Sequence, residues 1–308
     1  MALRSRALFD ELAAETGRQL ITETGTIDHG ETRNPPALAR VLDELGVEHE
    51  LLDAEAAMER WPQFRFDGPV LFHQAACVLD PEAVVAASLD SARSHGARLL
   101  TGWQVDNVAR ARHGGTRAAG TSDDGTAARG RSGAEFVITS ATGERLDARH
   151  LIVAAGGWRP DLADRLPLNE AALSALGRVS VRQEQVHHFP LQPWAPRDWP
   201  TFIYKDSAML AYGLPGGRDS SYADAPAGTS AEQNAHHHAR THLGIKVAQF
   251  NGGQIIGDAE EQTGRLDEAK QQRMIEFITV SVPGLGFGAR AGARALCRDD
   301  LPVHLDAG

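Results

Sequence analysis

The amino-acid sequence predicts a mixed fold, of α/β type in its first half and with a largely antiparallel β-sheet, of α+β type, in its second. Apolar patterns typical of a strand, a helix and a strand follow one another between residues 70 and 108. The continuous apolar run at 151–155 is too short for a helix and fits a strand covered on both faces, as in a parallel sheet. Strand patterns separated by turn residues then indicate an antiparallel sheet, at 178–189, 201–205, 208–213 and 244–251.

Four helices are predicted from apolar periodicity and from their end signals. The first ends at Gly17, because glycine tolerates the left-handed conformation that closes a helix. The second covers residues 35–45. The third begins at Asp80, a capping carboxylate followed by a proline, and stops at Gly96. The fourth covers residues 266–279.

Strands and loops fill the rest of the first half. Strand patterns lie at 98–108, at 135–140 and at 149–155, where the last includes the apolar run. Two further segments are rich in small and polar residues and show no apolar periodicity, which predicts inserted loops at 113–133 and 223–242.

Composition limits the function classes. The chain has 308 residues, 42% hydrophobic content, a net charge of -10 and a pI near 5.7. An acidic chain argues against nucleic acid as a partner, since phosphate binding needs a basic face. No apolar stretch has the length of a signal peptide or a membrane span, so we expect a cytoplasmic protein with no membrane partner.

Cysteine and histidine give no metal or redox motif. Cys77 and Cys297 are the two cysteines, which excludes a disulfide framework and a paired CxxC site but leaves a single bridge open. His238 and His242 could share a helix face as a metal pair, yet no carboxylate or cysteine stands nearby to complete a site. We therefore predict a solvated loop there and no metal.

Two short motifs are suited to a flat or phosphate-bearing ligand. Gly156 and Gly157 follow the apolar run, and glycines there let the backbone approach a nucleotide at the carboxyl end of a parallel strand. They could equally be a simple glycine turn out of the strand. Lys246 lies in an alternating strand between the small residues Gly244 and Ala248, which leaves room above it. Taken alone, it could also be a solvated strand lysine.

Five segments taken in order carry a family resemblance. They are Arg60-Trp61-Pro62, the run Leu-Ile-Val-Ala-Ala-Gly-Gly-Trp at 151–158, Tyr212-Gly213-Leu214-Pro215, Gly244-Ile245-Lys246-Val247, and the surroundings of Cys297. Together they resemble the monomeric sarcosine oxidase and N-methyltryptophan oxidase family, within the D-amino-acid-oxidase-like group. The resemblance implies oxidation of a secondary amine such as an N-alkyl amino acid, with dioxygen as acceptor and an imine and hydrogen peroxide as products.

The resemblance also implies the architecture. It predicts an incomplete Rossmann-like FAD-binding layer and a second, largely antiparallel substrate domain. The FAD-binding part would cover residues 1–30 and 70–165, and the substrate part 31–69 and 166–290. Residues 291–308 would form the flavin-attachment strand and a divergent tail.

The same resemblance implies which residues bind FAD. It places Ala155, Gly156 and Trp158 near the pyrophosphate and Val105 near the adenine. It also implies that Cys297 carries the flavin covalently. Thioether formation needs a thiolate, and two neighbouring arginines would favour one.

Two residues are implied in catalysis. Lys246 resembles the lysine that activates dioxygen, where a positive charge stabilises developing superoxide. Tyr212 resembles a tyrosine that lines the amine pocket, although a tyrosine that only packs is the alternative. Sarcosine-oxidising relatives have a histidine where this chain has Phe250, which favours a bulkier substrate.

The chain departs from the family pattern at both ends. The N-terminal Gly-x-Gly-x-x-Gly unit and the C-terminal segment over the flavin are absent from this sequence. We therefore expect a shortened or partial product with an uncovered sheet edge that favours self-association. The alternative function is an inactive remnant that binds a ligand or another subunit.

Overall fold

The computed structural model describes residues 2–111, 134–158, 162, 165–169, 179–215, 244–257, 259–286 and 303–307. They form two compact units. The first is built from Met1–Ala97, Glu184–Gln254 and Gly264–Pro302, and the second from Arg98–Gln183, Ile255–Thr263 and Val303–Gly308. Cys297 and the predicted loops at 113–133 and 223–242 lie outside the described residues.

The helices and strands follow one another along the chain. In order, they are α1 (Ala2–Thr16), β1 (Ile21–Glu23), β2 (Thr26–His29), α2 (Pro35–Glu44), β3 (Glu50–Leu52), α3 (Ala54–Arg60), β4 (Val70–His73), β5 (Cys77–Leu79), α4 (Pro81–Ser94), β6 (Val105–Arg110), β7 (Phe136–Ser140), β8 (Arg145–Ala148), β9 (Val179–Gln183), β10 (Val186–Phe189), β11 (Thr201–Lys205), β12 (Leu210–Pro215), β13 (Ile245–Gln249), β14 (Gln254–Ile256), α5 (Glu268–Ser281) and β15 (Val303–Ala307). The mixed α and β composition predicted from the sequence is confirmed.

A seven-stranded sheet is the centre of the first unit. Its strands lie in the order β10-β13-β12-β11-β2-β4-β3. Their pairings are antiparallel except that of β11 with β2, which is parallel. Four of these strands come from the four segments predicted to form an antiparallel sheet, so the antiparallel sheet is confirmed. The segment 178–189 is not one strand, because it divides into β10 and β9, and β9 lies in a different sheet.

Aromatic side chains fill the main core of this unit. Phe64, Phe189 and Phe202 are fully buried, together with apolar residues of the sheet strands and of α3 and α5. A smaller cluster around Leu20, Ala83 and Ala87 lies between α1 and α4. Burial of these side chains is the main favourable contribution to folding, at about 25 cal/mol per Å² of apolar surface.

The predicted helix ends agree with the structure. The Asp80 carboxylate accepts a hydrogen bond from the Ala83 backbone N–H at 2.9 Å, as an N-cap does. Gly17 and Gly96 have φ values of +69° and +86°, the left-handed conformation expected after a helix. The fourth predicted helix is α5, which begins and ends two residues later than expected.

Two predictions for residues 70–108 differ from the structure. The strand, helix and strand between 70 and 108 do not form one unit, because β4 lies in the seven-stranded sheet and β6 pairs with β7 in a separate sheet of order β6-β7-β8. The predicted strand at 98–108 begins only at Val105. β7 and β8 are joined by a short hairpin and pair antiparallel, as local strand pairs do.

The apolar run at 151–155 is also not a strand, and the prediction of a strand covered on both faces is wrong. Ile152 is 91% exposed and Val153 is 40% exposed. The second sheet of this unit has the order β14-β9-β15 and does not include the run. A buried parallel strand needs neighbours on both sides, and the described residues supply none for it.

No helix in the described part of the chain has the length and apolar character needed to cross a membrane.

Candidate active site

The two faces of the seven-stranded sheet have different environments. Successive strand residues point to opposite faces, so each strand contributes to both. One face, called the core face, carries Ile27, Phe202 and Val247, which are fully buried in the aromatic core. The other face, called the site face, carries Lys246 and Tyr212. Both predicted catalytic residues therefore lie on the face opposite the main core.

Strand register brings Lys246 and Tyr212 close together. Tyr212 of β12 is paired with Ala248 of β13, and Lys246 of β13 is paired with Leu214 of β12. The two residues are therefore diagonal neighbours on adjacent strands, roughly 7 Å apart. Ala248, the partner of Tyr212, has a small side chain and is fully buried.

Gly213 explains why β12 can hold Tyr212 in this position. Gly213 is on the core face and is paired with Phe202 of β11. A Cβ atom at Gly213 would overlap the Phe202 ring, so only glycine lets this ring lie against the strand. The adjacent residues Tyr212 and Gly213 thus have different roles. Tyr212 lies on the site face, and Gly213 leaves the room that the Phe202 ring needs on the core face.

Two polar residues of the site were missed by sequence reasoning. His188 of β10 is paired directly with Lys246 across the sheet. Glu184 lies two residues before β10, and its negative charge acts on the Tyr212 phenol. The Phe250 N–H donates to the Leu210 carbonyl oxygen at 2.8 Å, so β12 and β13 remain paired at this level. Only the strand register shows that His188 is a neighbour of Lys246, since the two residues are far apart in sequence.

The environment of Tyr212 keeps its phenol protonated. Burial raises the pKa of Tyr212 above its ordinary value, and the negative charge of Glu184 raises it further. Glu184 is itself buried, with 5% exposure. At neutral pH the phenol is therefore a hydrogen-bond donor that can face the amine or the carboxylate of a substrate.

The residues predicted to contact FAD through its adenosine and pyrophosphate belong to the second unit. Ala155 and Trp158 are joined by a backbone hydrogen bond of 3.0 Å across a short 3₁₀ turn. Gly156 lies within this turn with a φ of +53° and open space where a side chain would be. Val105 is the first residue of β6, so its position is determined by this strand and not by the 3₁₀ turn.

Comparison with known proteins identifies the family. A family model described as FAD dependent oxidoreductase matches residues 1–306. The chain belongs to this family. Membership confirms the predicted family and FAD as its cofactor.

The relatives of this chain are longer than the chain itself. N-methyl-L-tryptophan oxidase of Salmonella arizonae is 27% identical over 98% of the chain, which spans 68% of that protein. Monomeric sarcosine oxidase of Streptomyces avermitilis is 24% identical over 92% of the chain, which spans 63% of that protein. The chain thus spans about two thirds of the length of these relatives.

Solved structures show the same fold. NikD, an unusual amino acid oxidase essential for nikkomycin biosynthesis, is similar with a TM-score of 0.64 and 17% identity, over 92% of the chain and 63% of that structure. Glycine oxidase from Geobacillus kaustophilus is similar with a TM-score of 0.58 and 17% identity, over 92% of the chain and 62% of that structure.

Residues 155–158 of the second unit would suit part of the FAD cofactor. The open backbone at Gly156 would admit a phosphate group, and Trp158, which is 53% exposed, offers a flat apolar surface beside it. The exposed Ile152 adds apolar surface in the same segment. The predicted attachment residue, Cys297, lies outside the described residues, so covalent attachment stays a prediction.

Among the residues that the structure describes, no three His, Cys, Asp or Glu side chains are grouped as metal ligands. His238 and His242 lie outside the described residues.

Glu184→Gln is expected to lower the pKa of Tyr212, because removal of the carboxylate charge favours the phenolate. The pKa stays above the ordinary tyrosine value, since burial is the larger cause of its rise. A pH titration of phenolate absorbance measures the change, and subtracting the same titration of a Tyr212→Phe variant isolates this tyrosine. An unchanged titration would show that Glu184 and Tyr212 do not interact.

Proposed function

We propose that the chain forms the amine-binding and dioxygen-reacting part of an FAD-dependent oxidase of secondary amines, with N-alkyl amino acids as the substrate class. The observation that supports this is the placement of Lys246 and Tyr212 on one face of adjacent strands, diagonal to each other. When bound, FAD supplies a two-electron acceptor that dioxygen can reoxidise.

The overall chemistry balances with these components. The amine loses a hydrogen with its electron pair from carbon and a proton from nitrogen, which gives an imine that water hydrolyses. Dioxygen gains two electrons and two protons and becomes hydrogen peroxide. Tyr212 borders the amine as a neutral donor, and Lys246 supplies positive charge where negative charge develops on dioxygen.

The relatives support the reaction class. Those reported above are named as oxidases of N-methyl-L-tryptophan and of sarcosine. Phe250 gives an apolar wall next to Tyr212, which suits a substrate bulkier than sarcosine. A cytoplasmic location, expected from the sequence, is part of the proposal.

The test uses the FAD-loaded protein with N-methyl amino acids of increasing side-chain size. We expect peroxide formation in proportion to amine consumed, with bulky substrates preferred over sarcosine. Flavin should remain with the acid-precipitated polypeptide, and Cys297→Ser should release it. A protein that retains flavin but forms no peroxide with any secondary amine would contradict the proposed reaction, and retention of flavin by the serine variant would contradict the attachment.

A second candidate function is subunit interaction, and exposure of the 151–155 run supports it. The run is uncharged, contains no proline and is rich in strand-forming residues, with Ile152 91% exposed. Such a segment pairs readily with another chain. We propose self-association through it.

Ile152→Lys is expected to weaken this self-association about tenfold, because a charged side chain on the pairing segment opposes strand addition. Sedimentation over a range of protein concentrations measures the effect. Val280→Lys is the matched control, since Val280 is 70% exposed on α5 and belongs to the first unit, whereas the run belongs to the second. Equal effects of the two variants, or a monomeric wild-type chain, would rule out this segment as the contact.

A further inference from the structure

A cavity of about 210 Å³ lies at the end of the seven-stranded sheet where β2 and β11 begin and β4 ends. Phe72 of β4 forms part of its wall. Phe72 is paired with Ile27 and therefore lies on the core face. The cavity is thus separate from Lys246 and Tyr212, which lie on the site face. One buried water needs roughly 10–15 Å³, so this volume has room for a small molecule.

Aromatic rings and a proline form the walls of this cavity. They are Trp61, Phe72, Trp199 and Pro200. Trp61 is 7% exposed and Trp199 is 4% exposed, so the packed core holds both indole rings in place. Rigid apolar walls of this kind suit a planar aromatic ring, because aromatic rings stack on one another or meet edge to face.

Two polar groups at the cavity have no hydrogen-bond partner within the part of the chain that the structure describes. They are the indole N–H of Trp61 and the side-chain amide of Gln74. Two other groups are satisfied within the protein. The Thr24 hydroxyl donates to the carbonyl oxygen of the next residue at 3.0 Å, and the Trp199 N–H donates to the Pro196 carbonyl oxygen at 2.7 Å. The two unpartnered groups would suit a ligand that has both a carbonyl oxygen and an N–H.

A positive charge already lies against two of these rings. The Arg60 guanidinium is 4.6 Å from the ring centroid of Trp61 and 4.4 Å from that of Phe72. It also donates to both carboxylate oxygens of Glu50, at 3.0 and 2.9 Å. Because the rings already have a cation, a cationic ligand would gain little further attraction from them.

The two carboxylates at the cavity do not favour a charged ligand either. Oε1 of Glu23 lies 2.9 Å from Nη2 of Arg6, and Asp198 also has a partner. None of the residues that line the cavity, all of which the structure describes, is basic. An ion would therefore lose its hydration without gaining a counter-ion, whereas a neutral ligand avoids this cost.

We propose that this cavity binds a neutral, planar aromatic molecule that carries a carboxamide group, of which benzamide is the simplest example. The aromatic walls take the ring, the Trp61 N–H donates to the carbonyl oxygen of the ligand, and the Gln74 amide bonds to its NH₂ group. This site is not part of the proposed amine oxidation, and the inference does not depend on that reaction.

Three probes of the same planar shape test the charge preference. Benzamide is neutral, benzamidine carries a positive charge at neutral pH, and benzoate carries a negative charge. Calorimetric titration of the full chain is expected to show about tenfold tighter binding of benzamide than of either ion. Cyclohexanecarboxamide keeps the amide but has no planar ring, and it should bind about tenfold more weakly than benzamide.

Variants test the two hydrogen-bonding groups. Trp61→Phe keeps an aromatic wall without the N–H, and we expect benzamide to bind about fivefold more weakly. Gln74→Leu should weaken binding by a similar factor, and because Gln74 is exposed this change leaves the core intact. Trp194→Phe is the matched control for Trp61→Phe, since Trp194 is 55% exposed and does not line the cavity. Its affinity for benzamide should equal that of the wild-type chain.

The outcomes are distinct from those of the amine oxidation. No binding of benzamide by the wild-type chain, equal affinity for the three probes, or an unchanged affinity in Gln74→Leu would each overturn the inference. Equal weakening in Trp61→Phe and Trp194→Phe would also overturn it. A chain that binds benzamide with the expected preference but oxidises no amine would support this site and contradict only the proposed oxidation.

Discussion

Phe64→Ala is expected to lower the free energy of unfolding of the first unit by about 4 kcal/mol. Phe64 is fully buried, and its ring lies 5.7 Å from Phe66, 5.2 Å from Trp199 and 5.3 Å from Phe202, measured between centroids. Truncation removes these contacts and leaves a cavity among rigid rings that cannot collapse into it. Urea unfolding followed by tryptophan fluorescence measures the loss as a lower midpoint.

Phe250→Ala is the control for this change. It makes the same substitution at a residue that is 42% exposed, where we expect a loss below about 1 kcal/mol. The stability of a typical domain is only about 5–15 kcal/mol, so the Phe64 variant should unfold at clearly lower urea. Similar midpoints for the two variants would show that the aromatic core does not depend on Phe64.

Helix ends could be predicted because their signals are local. Asp80 caps α4 through the backbone N–H of a residue three positions away. Gly96 ends the same helix with a single left-handed residue. Both signals lie within one helical turn, so no knowledge of the tertiary structure is required.

Strand environment could not be predicted in the same way. The run at 151–155 has the composition of a buried strand, yet Ile152 is 91% exposed. Composition reports what a segment can bury, whereas its actual burial depends on partners that are distant in sequence. The same reason explains why β6 pairs with β7 rather than completing a parallel unit with β4.

The site was partly visible in the sequence. Lys246 and Tyr212 were found through the family resemblance, and the register then showed that they are neighbours. His188 was not found, since only the pairing of β10 with β13 brings it beside Lys246. Glu184 was not found either, since its effect on Tyr212 depends on the folded structure. Residues recruited through strand pairing have no short sequence motif.

Lys246→Met is expected to slow the reaction with dioxygen by about 10²–10³-fold and amine oxidation by less than about tenfold. Lys246 lies on the site face, diagonal to Tyr212, the residue proposed to border the amine. A fixed positive charge stabilises negative charge as it develops on dioxygen, whereas loss of hydride from a neutral amine gains little from it. Rapid-mixing measurements of the two half-reactions, on the FAD-loaded protein, give the two rates separately.

Lys205→Met is the matched control, because Lys205 is an exposed lysine on the same face of the same sheet, paired with Leu210 at the end of β11. If any positive charge on this face assists the reaction with dioxygen, removal of either lysine would slow that half-reaction to the same extent. If the charge must lie at the position of Lys246, only Lys246→Met would be slower, and only in the dioxygen half-reaction. If Lys246→Met slows both half-reactions equally, the lysine supports the structure of the site rather than the chemistry of dioxygen, since a structural defect does not distinguish between the two steps.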